Sequence, residues 1–307
     1  MIRNHIAMSP TAAHGDVDAL HRRLARWNRD RLAPGAPHDD WRAEERLNAG
    51  MRDLEGRWVE SLRRAVAPAA AEAPRDADGF AHWFERLVDT GPGQGDALFP
   101  WLADEATLAD MKWFLTQEAA GEAGFDDLVA LAQVKLPPVP KLELARNYWD
   151  EMGRGAEGGM HGPMLERTVH TLGLTPTIEE TVWPSLALAN TLTAFVTTRR
   201  YAWHAVGALG AVELTAPGRV AKVGAGLKRL GQPPAARKYF ELHALIDIRH
   251  AEDWIANVLR PLVAEDGARA RYLAEGALIR LACGARCFEA YRTHLWGPAS
   301  TPALAAA

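Results

Sequence analysis

From Tyr239 to Trp254 the chain reads YFELHALIDIRHAEDW, and its apolar and polar positions sort by helical period, not by alternation. Phe240, His243, Asp247, His250 and Trp254 follow one another at spacings of three and four. At about 100° per residue they form one stripe of a helix, with His243, Asp247 and His250 inside about 60° of arc. Glu241, Arg249 and Asp253 fall on other faces. The pattern predicts a helix from near Ala235 to about Leu262.

The same period recurs along the chain. It predicts helices over Asp16–Leu32, Trp41–Val66, Phe80–Leu87, Lys141–Met152, Pro163–Leu172, Glu179–Leu214 and Ala268–Leu295. The stretch 98–134 carries two helices or one kinked helix, and Pro217 is expected to stop the long helix before it. The segment APGRVAKVGAGLKRLGQPP reads as loop and short helix. No strand-like alternation and no solenoid repeat is present, so the fold class is all-α. Residues 1–15 are expected to fray, and the low-complexity tail 297–307 to be disordered.

Composition narrows the function. A chain of 307 residues with 48% hydrophobic positions can build a large core. The net charge of −4 and the scattered basic residues give no footprint for nucleic acid. Cys283 and Cys287 are four apart on a helical pattern, which makes them packing residues, and a reducing cytoplasm is the expected location. No apolar run spans a bilayer and no signal-peptide pattern opens the chain, so no membrane partner is expected.

A buried stripe holding two imidazoles and a carboxylate needs compensation, and a metal ion is the simplest source. The competing reading is a solvated helix face. Further ligands are available upstream. Glu118 shares a face with Phe114, Leu115 and Phe125; Glu213 shares one with Val206, Leu209 and Gly210. Either could equally be a surface carboxylate. Glu151 and His161 are ten apart, about 80° from one another on a continuous helix, but Gly153, Gly155, Gly158 and Gly159 favour a break that brings them back together. Four carboxylates and three histidines balance two divalent ions, and O/N ligation without thiolate favours iron or manganese over structural zinc. The Glu-x-x-His pairs of ferritin-like bundles are missing at the right places.

Three blocks, FLTQE ending at Glu118, NYWDEMGRGAEGGMHGPML with Glu151 and His161, and YFELHALIDIRH, together with the weaker ALGAVELTAPGR around Glu213, resemble the haem-oxygenase-like diiron oxidases and oxygenases, often described as iron-containing redox enzymes. The resemblance runs from about Ala97 to Leu262. It implies a haem-oxygenase-like seven-helix bundle at 91–296. Residues 1–90 match no block of that family and are expected to form an N-terminal helical extension that packs on the bundle or on a second subunit of a homodimer. It also implies that Glu118, Glu151, His161, Glu213, His243, Asp247 and His250 hold two Fe(II) ions, with O2 as cosubstrate.

The long Glu-to-His spacing looks most like the N-oxygenating branch of that family; other members cleave C–C bonds of amino acids or decarboxylate fatty acids. The expectation is an O2-dependent oxidoreductase acting on a small, amino-acid-like molecule in specialised metabolism. Trp113, Phe114, Phe240 and Trp254 are candidates for its apolar lining. Arg199 and Arg200 could clamp a substrate carboxylate, against the alternative of an ion-paired surface patch. The rivals are a metal-binding or iron-storage protein without turnover, a scaffold with a structural polar stripe, and a haem oxygenase proper.

Overall fold

A computed structural model describes residues 14–37, 39–121 and 124–297. Its elements are α1 (His14–Leu32), α2 (Trp41–Ala70), α3 (Ala77–Glu85), α4 (Leu87–Thr90), α5 (Leu98–Asp104), α6 (Leu108–Gly121), α7 (Phe125–Ala132), α8 (Pro138–Glu151), α9 (His161–Leu172), α10 (Trp183–Thr197), α11 (Ala202–Arg229), α12 (Pro234–Trp254), α13 (Arg260–Glu265) and α14 (Arg269–Trp296). No strand forms among the described residues; a single bridge pairs Met152 with Met160. The all-α expectation is met. Of residues 1–15, expected to fray, His14 and Gly15 instead open α1; residues 1–13 and the tail from 298 lie outside the described residues.

Helix α11 is the axis of the bundle, flanked by α12 and α14 along its length and by α5 near its end. Its approach to α14 depends on glycine. A Cβ at Gly207 would sit 1.9 Å from the Leu273 carbonyl oxygen, and one at Gly276 would sit 2.0 Å from that of His204. The two backbones therefore touch where both side chains are missing, a spacing no larger residue permits.

Pro217 lies inside α11, which continues to Arg229 through the segment expected to be a loop. Packing against α12 and α14 outweighs the lost hydrogen bond. The missing N–H at Pro217 is the one that would bond the carbonyl of Glu213, four residues earlier. The long helix expected from Glu179 is broken instead at Thr198, where a 3-10 turn, Arg199–Tyr201, separates α10 from α11. The stretch 98–134 holds three helices, not two, and α12 passes through a π-helical turn, Ile255–Leu259, into α13.

The N-terminal helices share the core of the rest. α1 packs on α10, and α2 on α14 and α10. Trp58, Val59, Leu62 and Val66 of α2 join the apolar cluster containing Val206, Leu209 and Trp254. Polar pins lock the joint: Trp58 Nε1 donates to Thr191 Oγ1 at 2.9 Å, and Asn28 Nδ2 to Asn190 Oδ1 at 2.9 Å. No described helix is long and apolar enough to cross a membrane.

Candidate metal centre

The stripe foreseen on α12 is the buried one: Phe240, His243, Asp247, His250 and Trp254 face inward, while Leu245 and Ile248 are exposed on the opposite side. Trp254 anchors it, 1% exposed and donating through Nε1 to the Val206 carbonyl at 3.2 Å. Burying a ring of that size contributes roughly 2–3 kcal/mol, which fixes the inward orientation of this face.

Glu151 closes α8 and His161 opens α9, and the glycine-rich loop between them folds back on itself. Met152 bridges to Met160, and Gly153 adopts φ 58° with its α-face against Gly159; a Cβ there would meet the Gly159 carbonyl carbon at 2.3 Å. The turn cancels the angular offset of a continuous helix. His161 Nδ1 ends 2.7 Å from Glu151 Oε2. That nitrogen makes no hydrogen bond of good geometry despite the short separation.

Six of the seven expected ligands gather into two buried groups, Glu151 with His161 and His243, and Glu213 with Asp247 and His250. Within each group the available ligand atoms lie within 4.8 Å of one another. The groups are neighbours because α12 contributes to both: His243 and Asp247 are four residues apart, about 6 Å along the axis. The His161 and His243 rings meet edge to face with centroids 4.6 Å apart.

Residues that the sequence did not single out orient these side chains. Tyr239 accepts from His243 Nδ1 through its carbonyl at 2.7 Å, so that nitrogen carries the hydrogen and Nε2 keeps its lone pair for the site. Asn147, one turn before Glu151 on α8, donates Nδ2 to Glu213 Oε1 at 2.6 Å. Asp150 faces His250 Nε2 at 3.3 Å, leaving His250 Nδ1 turned toward Glu213 at 3.4 Å and Asp247 at 3.7 Å. Asn147 could have been found, since it shares the Glu151 face at i−4; nothing in the sequence marks Asp150 or the Tyr239 carbonyl.

The electrostatics suit a bound cation. Burial, then the charge on neighbouring Glu213 and Glu151, pushes the Asp247 carboxyl well above the usual carboxylate range. Burial and His250 pull His161 down to about 4, and burial and His161 pull His243 down to about 4, so both are neutral imidazoles at pH 7. Burial opposes charge on His250 too, but Glu213 and Asp150 outweigh it and lift it to about 9. Asp247 Oδ1 and His250 Nδ1 are buried with no hydrogen-bond partner. Crowded carboxylates, neutral imidazoles and orphaned donor atoms are what a divalent ion relieves, and the residues therefore fit a metal.

Glu118 stands outside both groups. Its Oε1 accepts from Tyr291 Oη at 2.7 Å, and Tyr291 in turn contacts Ser185 Oγ at 2.7 Å. It nevertheless lines the same cavity, of ≈ 200 Å³, as Glu151, Glu213, His243 and Asp247. Of the apolar lining expected from sequence, Phe114 and Phe240 border this cavity. Trp254 is core instead, and Trp113 stacks on His294 with ring centroids 3.8 Å apart.

Arg199 and Arg200 are not at the cavity. Both are exposed on the 3-10 turn, Arg199 donating to the Val134 carbonyl at 2.6 Å and Arg200 to Glu60 Oε1 at 2.9 Å. The helix break at Thr198 turns them outward: Arg200 is ion-paired with Glu60 at the surface, and Arg199 is held by a backbone carbonyl.

A family model described as iron-containing redox enzyme matches residues 112–285, more than half of the chain and all six clustered residues. Among curated proteins none matches the chain.

Proposed function

The chain belongs to the family of iron-containing redox enzymes and carries its all-α, haem-oxygenase-like bundle, and from that premise we propose that it is an O2-dependent non-haem diiron oxidoreductase acting on a small organic substrate. The observation that carries the reading is the pairing of two buried ligand groups one helical turn apart on α12. Glu151, His161 and His243 would hold one iron and Glu213, Asp247 and His250 the other. When bound, a ferrous pair supplies the electrons that reduce O2 and thereby oxidise the substrate.

The chain's own residues do the rest. Tyr239 and Asp150 fix the ring orientation of His243 and His250, and Asn147 holds Glu213, so the ligands need little rearrangement on loading. Phe114, Leu115, Val223 and Phe240 surround the cavity with apolar surface, which limits water beside the site and orients the substrate's carbon skeleton. Glu118, now held by Tyr291, would be available as a seventh ligand, and with it four carboxylates would balance two divalent ions. An amino-acid-like substrate, oxygenated at nitrogen or cleaved oxidatively at C–C or C–N, suits a polar site set in such a wall.

Anaerobic titration with Fe(II) tests the assignment. Two equivalents per chain are expected, with marked loss in His243→Ala and Asp247→Asn. A folded protein that binds no iron, or variants that bind it unchanged, would sink the reading. O2 uptake by the Fe(II) protein across amino acids, amines, guanidines and fatty acids then separates an enzyme from a storage protein, whose O2 consumption would not depend on any organic addition.

A further inference from the structure

The cavity that reaches Glu151, Glu213, His243 and Asp247 is also lined by Arg219 of α11 and Arg280 of α14. These two were inconspicuous in sequence, 61 positions apart and each in an apolar context. Among the described residues neither forms an ion pair within 4.0 Å. Arg219 Nη2 donates to Thr215 Oγ1 at 2.8 Å, but Arg219 Nη1 and Arg280 Nε have no hydrogen-bond partner. The Arg219 guanidinium instead lies over two rings, 5.5 Å from the centroid of Phe288 and 5.9 Å from that of Phe99.

Two unpaired guanidinium groups in an apolar wall are expensive without an anion. Burial and the charge on Arg280 pull Arg219 down to about 9, and Glu118 is the carboxylate whose charge supports both arginines. At the arginine end of the cavity one carboxylate faces two cations, while Glu151, Glu213 and Asp247 line the end formed with His243. Glu118 itself is held by Tyr291, and on joining the metal centre it would leave both arginines unneutralised. Structural arginines would be expected to end on a carboxylate or on carbonyls, as Arg63, Arg229 and Arg31 do elsewhere in the chain.

We infer that Arg219 and Arg280 form the anion-binding end of the cavity and hold a substrate carboxylate, with the carbon skeleton lying along the apolar wall toward the ligands of α12. The inference rests on the proposed role of this cavity as the substrate chamber of the iron site. A guanidinium offers paired N–H donors matched to a carboxylate, and two of them in a dry wall select an anion over a neutral isostere. The chemistry is shared by amino acids and fatty acids.

Direct binding to the full-length, metal-free protein by calorimetry tests it. Straight-chain carboxylates from butanoate to decanoate are compared each with its own amide, and hexanoate with L-norleucine. At least one carboxylate should bind about ten-fold or more tightly than its amide, and Arg219→Met and Arg280→Met should each erase that preference. Arg219→Lys and Arg280→Lys, which keep a cation, should keep part of it. Tighter norleucine identifies an amino-acid site and tighter hexanoate a fatty-acid site; both support the clamp. No carboxylate binding, equal binding of acid and amide by the wild-type protein, or full preference in both folded methionine variants would overturn it. The acid-against-amide comparison needs no variant to fold. Because iron is absent, a failed iron titration with intact carboxylate preference would remove the diiron reading and leave the clamp, and the reverse result would do the opposite.

Discussion

Glu151 and His161 lie 2.7 Å apart although ten positions separate them, because the loop between them reverses at Gly153. The positive φ favours glycine, and the 2.3 Å approach to Gly159 requires a residue without Cβ. Gly153→Ala is expected to cost about 1–3 kcal/mol of stability and to weaken iron binding beyond what that loss explains. Urea unfolding and anaerobic Fe(II) titration measure the two separately. Wild-type iron affinity in this variant would mean that the loop does not set the ligand geometry.

The side chains behind the ligands carry a second prediction. Asp150→Ala and Asn147→Ala leave every ligand in place but release His250 and Glu213. Metal affinity should fall about 10–100-fold in each, read by competition with a chelator of known strength. Unchanged affinity would reduce both residues to packing.

Tyr291 and Glu118 give a third. Tyr291→Phe removes the donor that holds Glu118 away from the ligand groups, and it should tighten the second iron while costing about 1–2 kcal/mol of folding stability. Glu118→Gln should lower the iron stoichiometry. If Glu118→Gln binds both ions as the wild type does, Glu118 belongs to the cavity wall alone.

Acid stability depends on a second buried cluster, centred on Glu275. Glu275, 1% exposed, accepts from His204 Nε2 at 2.9 Å, Arg63 Nε at 2.8 Å and Arg271 Nε at 3.0 Å. Burial alone would raise its carboxyl, but these three partners hold it down at about 2. Its contribution is therefore complete above its ordinary value of 4.5 and is lost as pH falls from there toward 2. Burial lowers His204, so charging it below its ordinary 6.5 also works against the fold. Stability should fall with acid, and Glu275→Gln should flatten that fall while costing about 2–4 kcal/mol at neutral pH. Denaturation midpoints between pH 3 and 7 check both; parallel profiles for variant and wild type would refute the assignment.

Much of the site was legible before folding. On α12 the spacing of His243, Asp247 and His250 decides by itself that they share a face, because a helix converts sequence separation into angle without outside help. The flanking Phe240 and Trp254 decide that this face is buried. The glycines after Glu151 announced a break. Where helix ends were misread, at Pro217 and Thr198, local propensity was overruled by packing: a proline inside α11 is tolerated because α12 and α14 clamp both sides.

Other features belonged to the tertiary structure alone. Arg199 and Arg200 looked like a substrate clamp by residue type, and only the outward turn at Thr198 shows them at the surface. Arg219 and Arg280 carry no motif, and no spacing rule connects residues on different helices; the glycine contacts that press α11 against α14 bring both to one cavity. Periodicity along one helix determines which of its residues face inward. Which helices meet there, and which charges meet as a result, is set by the packing of the whole bundle.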